Sequence, residues 1–356
     1  VQSLGHANPE IAEVIGEQAG KLTQVSNYWA TEHAHHVAIE IDKAVTGHIN
    51  EPSYSPYNPT GQVFFCNSGA EANELAFKIA RKATSKGRYT VLTATDSFHG
   101  RTLAALAACG QPHKHEPFAP MPQGFTHIAR GDIEALNGAV DETTAAVHLE
   151  PILGEGGVWP HTSDYLSKAE SLTREHGLLF MVDEVQSGLC RTGEWFSFQH
   201  YGLNPDVVCM AKALGNGFPI GAVWVKRELA ASFEAGDHGS TYGGNPLGTA
   251  VARKVLEIMK RDNYNLKAQL IEEQIRTSMS EVPQVISIRG NGAMLAIELH
   301  QAISKEVAAE ASIKGLLVNP ITPTALRLTP PLTTSPDQIQ KGMQILKGIL
   351  NAQASS

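Results

Sequence analysis

Lys212 stands in the run Asp206-Val-Val-Cys-Met-Ala-Lys-Ala-Leu-Gly-Asn-Gly, flanked by apolar and small residues instead of the polar neighbours of a solvated face. Burial lowers the pKa of a lysine and leaves its amine nucleophilic enough to form an imine with a carbonyl carbon. Taken alone, a lysine that follows a strand is more often a surface residue. Two further segments change its weight. Leu179-Phe-Met-Val-Asp183-Glu184-Val-Gln puts two carboxylates at the C-terminal end of a buried strand, the edge where open α/β sheets bind ligands. A buried Asp183 needs a cation, and a magnesium ion shared with Glu184 or a protonated ring nitrogen would each serve; solvated loop acids are the plain alternative. Asn67-Ser68-Gly69-Ala70-Glu71 follows a strand and opens a helix, whose free N–H groups and partial positive charge suit a phosphate. Ser68 could equally be a simple helix cap. No Gly-Lys-Ser/Thr follows, which excludes a Walker-type nucleotide loop. A phosphate cradle, an acid for a ring nitrogen and a strand-end lysine are together the three protein parts of a pyridoxal 5′-phosphate site.

The elements that must position these residues can be read from periodicity. Between about residues 60 and 240, short apolar runs alternate with helical patterns, the rhythm of a mainly parallel sheet with covering helices. The runs predict strands at Val63–Cys66, Tyr89–Ala94, Ala145–Glu150, Leu178–Val182, Val207–Met210 and Ala222–Val225. Ala72, Leu75, Ala76, Ile79, Ala80 and Ala83 form one helical stripe. From Leu247 to about Met279 the pattern predicts one long helical stretch. Strands follow at Val285–Arg289 and Met294–Leu299, then a helix and a strand at Ala325–Thr329. Ser335, Pro336 and Gln338 form a capping-box start for a last helix whose Ile339, Met343, Leu346 and Leu350 share a face. The expected fold class is therefore α/β, a large domain with a mainly parallel sheet plus a smaller α+β C-terminal domain. The expected division is 1–50 as an N-terminal segment, 51–245 as the large domain and 246–356 as the small one.

Bulk properties narrow the function. The chain has 356 residues, 42% hydrophobic and 18% charged, the proportions of a folded globular protein. A formal charge of −8 argues against nucleic acid as a partner. No apolar run approaches the ~20 residues that span a bilayer, and no secretory segment opens the chain, so no membrane is expected and the location is read as cytoplasmic. Cys66, Cys109, Cys190 and Cys209 lie far apart without a paired motif, and the histidines show no ligand spacing, so neither disulfides nor a metal is expected. The chain opens on Val1 instead of methionine, so the natural start is expected upstream.

Eight motifs in order, LGHANP, FFCNSGAEANE, FHGRT, EPILGEGG, DEVQSGLCRTG, AKALGNGFPIGA, GSTYGGNPL and LRLTPPL, resemble those of the class III aminotransferases of the ornithine/acetylornithine type, closest to those acting on acetylornithine. The resemblance covers nearly the whole chain. It implies the fold type I of pyridoxal-phosphate-dependent transferases and transfer of an amino group from N-acetylornithine to 2-oxoglutarate, a step in arginine biosynthesis. It implies that Lys212 holds the cofactor covalently and moves the proton, and that Asp183 binds the pyridine nitrogen. Val185 and Phe98 would flank the ring, with Gln186 near its phenolic oxygen and His99 near its edge. Ser68, Gly69 and Ala70 would hold the phosphate. Ser240 and Thr241 would reach the phosphate and substrate of a neighbouring subunit, which implies a homodimer with sites at the interface. Arg101 would bind the α-carboxylate of acetylornithine and Arg327 that of glutamate, with Glu155 pairing to Arg327 until glutamate displaces it.

Some features depart from that pattern. Leu153 replaces the usual Gln of the EPIQGEGG motif, removing a polar group from the surroundings of Glu155, and Cys190 stands where glycine is common and would crowd a turn. About forty residues that usually precede the first motif are absent, and the stretch 51–60 reads only as a surface loop. The readings left open are another ω-amino donor (ornithine, 4-aminobutyrate, succinylornithine or succinyldiaminopimelate), a same-fold aminomutase or decarboxylase, and a non-catalytic cofactor-binding protein.

Overall fold

The computed structural model describes residues 1–51 and 54–353; residues 52 and 53 of the 51–60 stretch lie outside the description, as do 354–356. Seven strands build the central sheet: β1 (Gly61–Cys66), β2 (Thr90–Ala94), β3 (Phe125–Ile128), β4 (Thr144–Leu149), β5 (Leu179–Asp183), β6 (Val207–Met210) and β7 (Gly221–Lys226). Their spatial order is β1-β7-β6-β5-β4-β2-β3. The pairs from β3 to β6 are parallel, and β7 runs antiparallel to both β6 and β1. Every residue of β4, β5 and β6 is buried, as continuous apolar runs require of strands covered on both faces.

The helix Gly69–Ala83 covers one face. Its stripe of Ala72, Leu75, Ala76, Ile79 and Ala80 is buried against β6 and β7, and the alanines let the helix lie close. Leu75 and Ile79 each contribute about 1.5–3 kcal/mol of burial. Phe180, Val182, Val208, Met210, Ala222 and Trp224 belong to the apolar layer on the opposite face. Asp42, on the helix Glu32–Val45, is buried there, yet it accepts from Trp224 Nε1 at 2.7 Å, from the N–H groups of Gly61 and Thr60 at 2.8 and 3.0 Å, and from the Tyr54 hydroxyl. One carboxylate thereby ties the N-terminal helices and the loop before β1 to the sheet.

The C-terminal part holds an antiparallel sheet of β8 (Val285–Asn291), β9 (Met294–Leu299), β10 (Asn319–Thr322) and β11 (Ala325–Leu328) in the order β8-β9-β11-β10, with helices against it. The capping box at Ser335 and Gln338 forms in both directions, at 2.9 and 3.3 Å. The expected single helical stretch after Leu247 is instead two helices, Pro246–Arg261 and Tyr264–Met279, because Asn263 adopts a left-handed backbone (φ 49°). Strands β3 and β10 and the helix Ser163–His176 were not among the expected elements.

Candidate active site

Parallel strands end on one edge of the sheet, and that edge collects the chemistry. β1 leads to Ser68 and Gly69, β2 to the turn bearing Phe98, β4 to Glu150, β5 ends on Asp183, and β6 leads through Ala211 to Lys212. These residues, with Ala70, Asn73, His99, Arg101, Val185 and Gln186, line a cavity of about 380 Å³, a size suited to a small cofactor with its substrate. The structure thus brings together Lys212, Asp183, Ser68, Gly69, Ala70, Phe98, Val185, Gln186 and Arg101. Ser240 and Thr241 do not line it. Ser240 touches its rim, accepting from Asn67 Nδ2 at 3.2 Å, and Thr241 is exposed.

Lys212 sits at φ 43°, a left-handed conformation that costs a residue with a β-carbon about 1–3 kcal/mol and persists only where the surroundings impose it. Burial pushes its amine below the ordinary lysine range, with Asp183, Glu150 and Glu155 opposing and Arg327 adding to the shift. More of the amine is therefore unprotonated at neutral pH.

Asp183 is 3% exposed. Burial alone would raise its pKa, but the hydrogen bond and charge of His99, with His148 and the Val185 N–H, outweigh it and hold the carboxyl below its usual range. Its Oδ2 accepts from Asn73 Nδ2 and pairs with His99 Nδ1, both at 2.8 Å, while Oδ1 accepts from the Val185 N–H at 3.0 Å. Asn73 Oδ1 in turn meets His148 Nε2 at 2.9 Å, and burial pushes His148 down to about 3. His99, expected near the ring edge, lines the cavity and is also a direct support of Asp183. His99, His148 and Asp183 are a metal-type trio, with ligand atoms within 4.8 Å of one another, although no sequence spacing announces it. In this fold their hydrogen bonds form a chain behind the carboxylate. Glu184 takes no part, because its carboxyl turns away to the Ser187 hydroxyl (2.6 Å) and the Phe198 N–H (2.8 Å), so the pair Asp183/Glu184 does not converge on one ion.

Ser68 is a helix cap, its Oγ accepting the Glu71 N–H at 3.2 Å, and its hydroxyl proton remains free to donate. At this helix start the N–H groups of Gly69 and Ala70 have no intrahelical acceptor, and both residues line the cavity. Gly69 is glycine for a reason beyond anion approach: a β-carbon there would lie 2.7 Å from Val185 Cγ1. Gly69→Ala is expected to destabilise the protein by about 1–3 kcal/mol through overpacking. A denaturant melt reads this, and an unchanged midpoint would show that Val185 has room to move.

Arg101 and Lys114 both approach the Phe98 ring, at 5.3 and 5.2 Å from its centroid, giving the cavity mouth positive charge. At the far margin, Arg327 Nη1 donates to Glu155 Oε1 at 2.5 Å and to Gln186 Oε1 at 3.2 Å. Burial would raise Glu155; the bond and charge of Arg327 outweigh this and hold it below its ordinary range. Leu153 is fully buried in the core, and the polar contact to Glu155 is supplied by Gln186 Nε2 at 3.3 Å. Cys190 is buried at φ 66°, the strained turn expected of a side chain in a glycine position. Asn73, Glu150, His148 and Lys114 were missed by sequence reasoning; nothing in their spacing sets them apart, since the fold alone brings them to the site.

The donor set fits pyridoxal phosphate: free N–H groups at a helix start, a buried ionised carboxylate, and an amine of lowered pKa, all on one cavity. A family profile described as aminotransferase class-III matches residues 1–350. The acetylornithine aminotransferase of Corynebacterium efficiens is 43% identical over 356 residues, covering 98% of this chain and 86% of its own length. That of Caldanaerobacter subterraneus subsp. tengcongensis is 41% identical over 360 residues, covering 99% and 88%. Among solved structures, an ornithine aminotransferase from Toxoplasma gondii with partial occupancy of PLP superposes with a TM-score of 0.89 at 30% identity, covering 99% of this chain and 84% of that one. A Bacillus anthracis aminotransferase does so with a TM-score of 0.88 at 29% identity, covering 98% and 86%. The chain belongs to the class III aminotransferases, a pyridoxal-phosphate-dependent family.

Proposed function

We propose that this chain transfers the ω-amino group of N-acetylornithine to 2-oxoglutarate, giving N-acetylglutamate semialdehyde and glutamate. The observation that carries the reading is Arg327 held by Glu155 beside the cavity, with Arg101 at its mouth. Two substrates of different length need two carboxylate sites, one of which must be covered while the longer amine is bound. A planar guanidinium with a displaceable acid meets that need, whereas a mutase or decarboxylase has no use for it. The relatives named above carry the same activity in their names at 41–43% identity over nearly the whole chain.

When bound, pyridoxal phosphate supplies an aldehyde carbon and an electron-withdrawing ring that stabilises negative charge at the substrate carbon. Ser68, Gly69 and Ala70 would hold its phosphate, Asp183 its ring nitrogen in the protonated state, and Val185 and Phe98 its two faces, with Gln186 at the ring oxygen. Lys212 would hold it covalently until the donor amine takes its place. The freed amine of Lys212 would act as general base and then acid, taking the proton from the substrate carbon and giving it to the cofactor carbon that had carried the aldehyde. Arg101 orients the donor by its carboxylate. Arg327 releases Glu155 to take the carboxylate of the 2-oxo acid. Ser240 and Thr241 lie outside their own cavity and serve that of a second copy, making the working unit a homodimer. Four free buried cysteines suit a reducing cytoplasm.

The test is kcat/KM over acetylornithine, ornithine, 4-aminobutyrate, succinylornithine and succinyldiaminopimelate with 2-oxoglutarate as acceptor. Acetylornithine is expected to rank first. A higher value for 4-aminobutyrate would overturn the proposal.

A further inference from the structure

The guanidinium of Arg289, on β8, is engaged on several sides. Nε donates to the Gly157 carbonyl at 2.9 Å, Nη1 pairs with the Glu298 carboxylate, and the group lies 3.9 Å from the centroid of the Trp159 ring. Arg130 approaches the same ring at 4.4 Å. The sheet register connects this cluster to the site. Arg289 faces Ala296, and Ala296 faces Arg327. Glu298 is two residues beyond Ala296, so with alternating side chains Arg289, Glu298 and Arg327 all project from one face of the sheet. Glu298 is thus a diagonal neighbour of Arg327, at a spacing of roughly 7–8 Å that long side chains bridge. Arg327 nevertheless bonds Glu155, Gln186 and the Gly154 carbonyl, while Glu298 pairs with Arg289.

The loop that bears Glu155 is fixed on both sides of it. Glu150 accepts the Gly154 N–H at 3.1 Å, and Arg289 holds the Gly157 carbonyl. A β-carbon on Gly156 would lie 2.6 Å from the Asp96 carbonyl oxygen, so the loop between these ties is packed against the large domain.

We infer that Arg289 is a positioning residue for Arg327: it occupies Glu298 and anchors the loop of Glu155, so that Glu155 is the one carboxylate that exchanges with substrate on Arg327. This rests on the proposed role of Arg327 as the site of the 2-oxo acid carboxylate. Exchange then needs only rotation of the Glu155 side chain on a fixed loop. With Arg289 gone, Glu298 is unpaired on the face it shares with Arg327 and competes for it.

The experiment compares Arg289→Ala, Glu298→Gln and the double variant in the two half-reactions of the cofactor-loaded protein. Arg289→Ala is expected to raise the KM for 2-oxoglutarate at least about tenfold, with the amine-donor half-reaction within about twofold of the parent. Adding Glu298→Gln should restore most of the 2-oxoglutarate KM, which a purely structural defect would not allow. Should Arg289→Ala fold poorly by circular dichroism, Arg289→Lys, which keeps the charge but loses the fork, is expected to show a smaller shift in the same direction. Glu298→Gln alone should leave this KM near that of the parent; an unchanged KM in Arg289→Ala, or a double variant as impaired as Arg289→Ala, overturns the inference. Parent protein that fails to turn over 2-oxoglutarate overturns the functional reading instead.

Discussion

Lys212→Ala is expected to lower turnover by at least about 10³-fold, since it removes the residue proposed as both the covalent anchor and the group that moves the proton. The same substitution should leave the fold intact. Burial disfavours the charged form of the amine, and among the described residues the amine makes no hydrogen bond or ion pair that holds a neighbouring element. Noncovalent cofactor binding through Ser68–Ala70 and Asp183 should persist, while the visible absorbance that depends on covalent attachment disappears. Stopped-flow half-reactions, equilibrium dialysis with pyridoxal phosphate and circular dichroism separate these effects. A small primary amine added to the variant should restore part of the rate. Retention of a substantial fraction of parental turnover would remove Lys212 from its assigned role.

The second large effect is at Asp183. Asp183→Ala takes the acceptor from two buried donors, Asn73 Nδ2 and His99 Nδ1, and should cost about 1–3 kcal/mol of stability. It also removes the charge proposed to keep a ring nitrogen protonated, and turnover should fall about 10²–10³-fold. Asp183→Asn preserves the shape and loses the charge. It should recover much of the stability but little of the activity, and recovery of both would contradict the electrostatic role. The pH dependence follows from the sign of the shift. The folded carboxyl is held below its unfolded value of about 3.9, so its contribution is present above that pH and lost as pH falls through the folded pKa. The parent should therefore lose stability in acid more steeply than Asp183→Asn, in melts taken between about pH 5 and pH 2.

How much of this was legible in the sequence varies with the kind of signal. Strand β6 and strand β9 were readable to the residue, because Val207–Met210 and Met294–Leu299 are short runs, apolar except for Glu298, set between polar or turn-forming residues no more than one alanine away. The helix after Ser68 was readable from its stripe and its cap together. The break between Arg261 and Tyr264 was not: apolar residues keep helical spacing across it, and only the left-handed Asn263 interrupts the chain. β10 was missed because Asn319-Pro320-Ile-Thr offers few apolar residues and a proline, tolerable here at the edge of the sheet. At the site, Lys212 and Asp183 stand at strand ends and announce themselves. His99, Asn73 and His148 do not, since they come from a loop, a helix and a strand far apart in the chain and acquire a joint role only on meeting Asp183. Glu184 misled for the opposite reason, adjacent to Asp183 in sequence but directed to the Ser187 side.

The antiparallel β7 has a consequence for how the molecule assembles. Among the described residues β1 has no strand partner except β7, and their register joins Gly61 to Lys226. During synthesis β1 emerges early and must wait, unpaired, until the chain has extended past residue 226. Strands β2 to β6 can meanwhile pair among themselves with shorter loops to close. The half of the cavity that ends on Asp183 and Lys212 can thus take shape before the half that begins at Ser68. Closure of the longest loop in the sheet and completion of the cavity are then a single late event. A nascent chain stopped short of residue 221 would carry a lysine and a carboxylate in place and a helix able to pack on β6, but the Ser68 end of that helix would not yet be fixed by a paired β1.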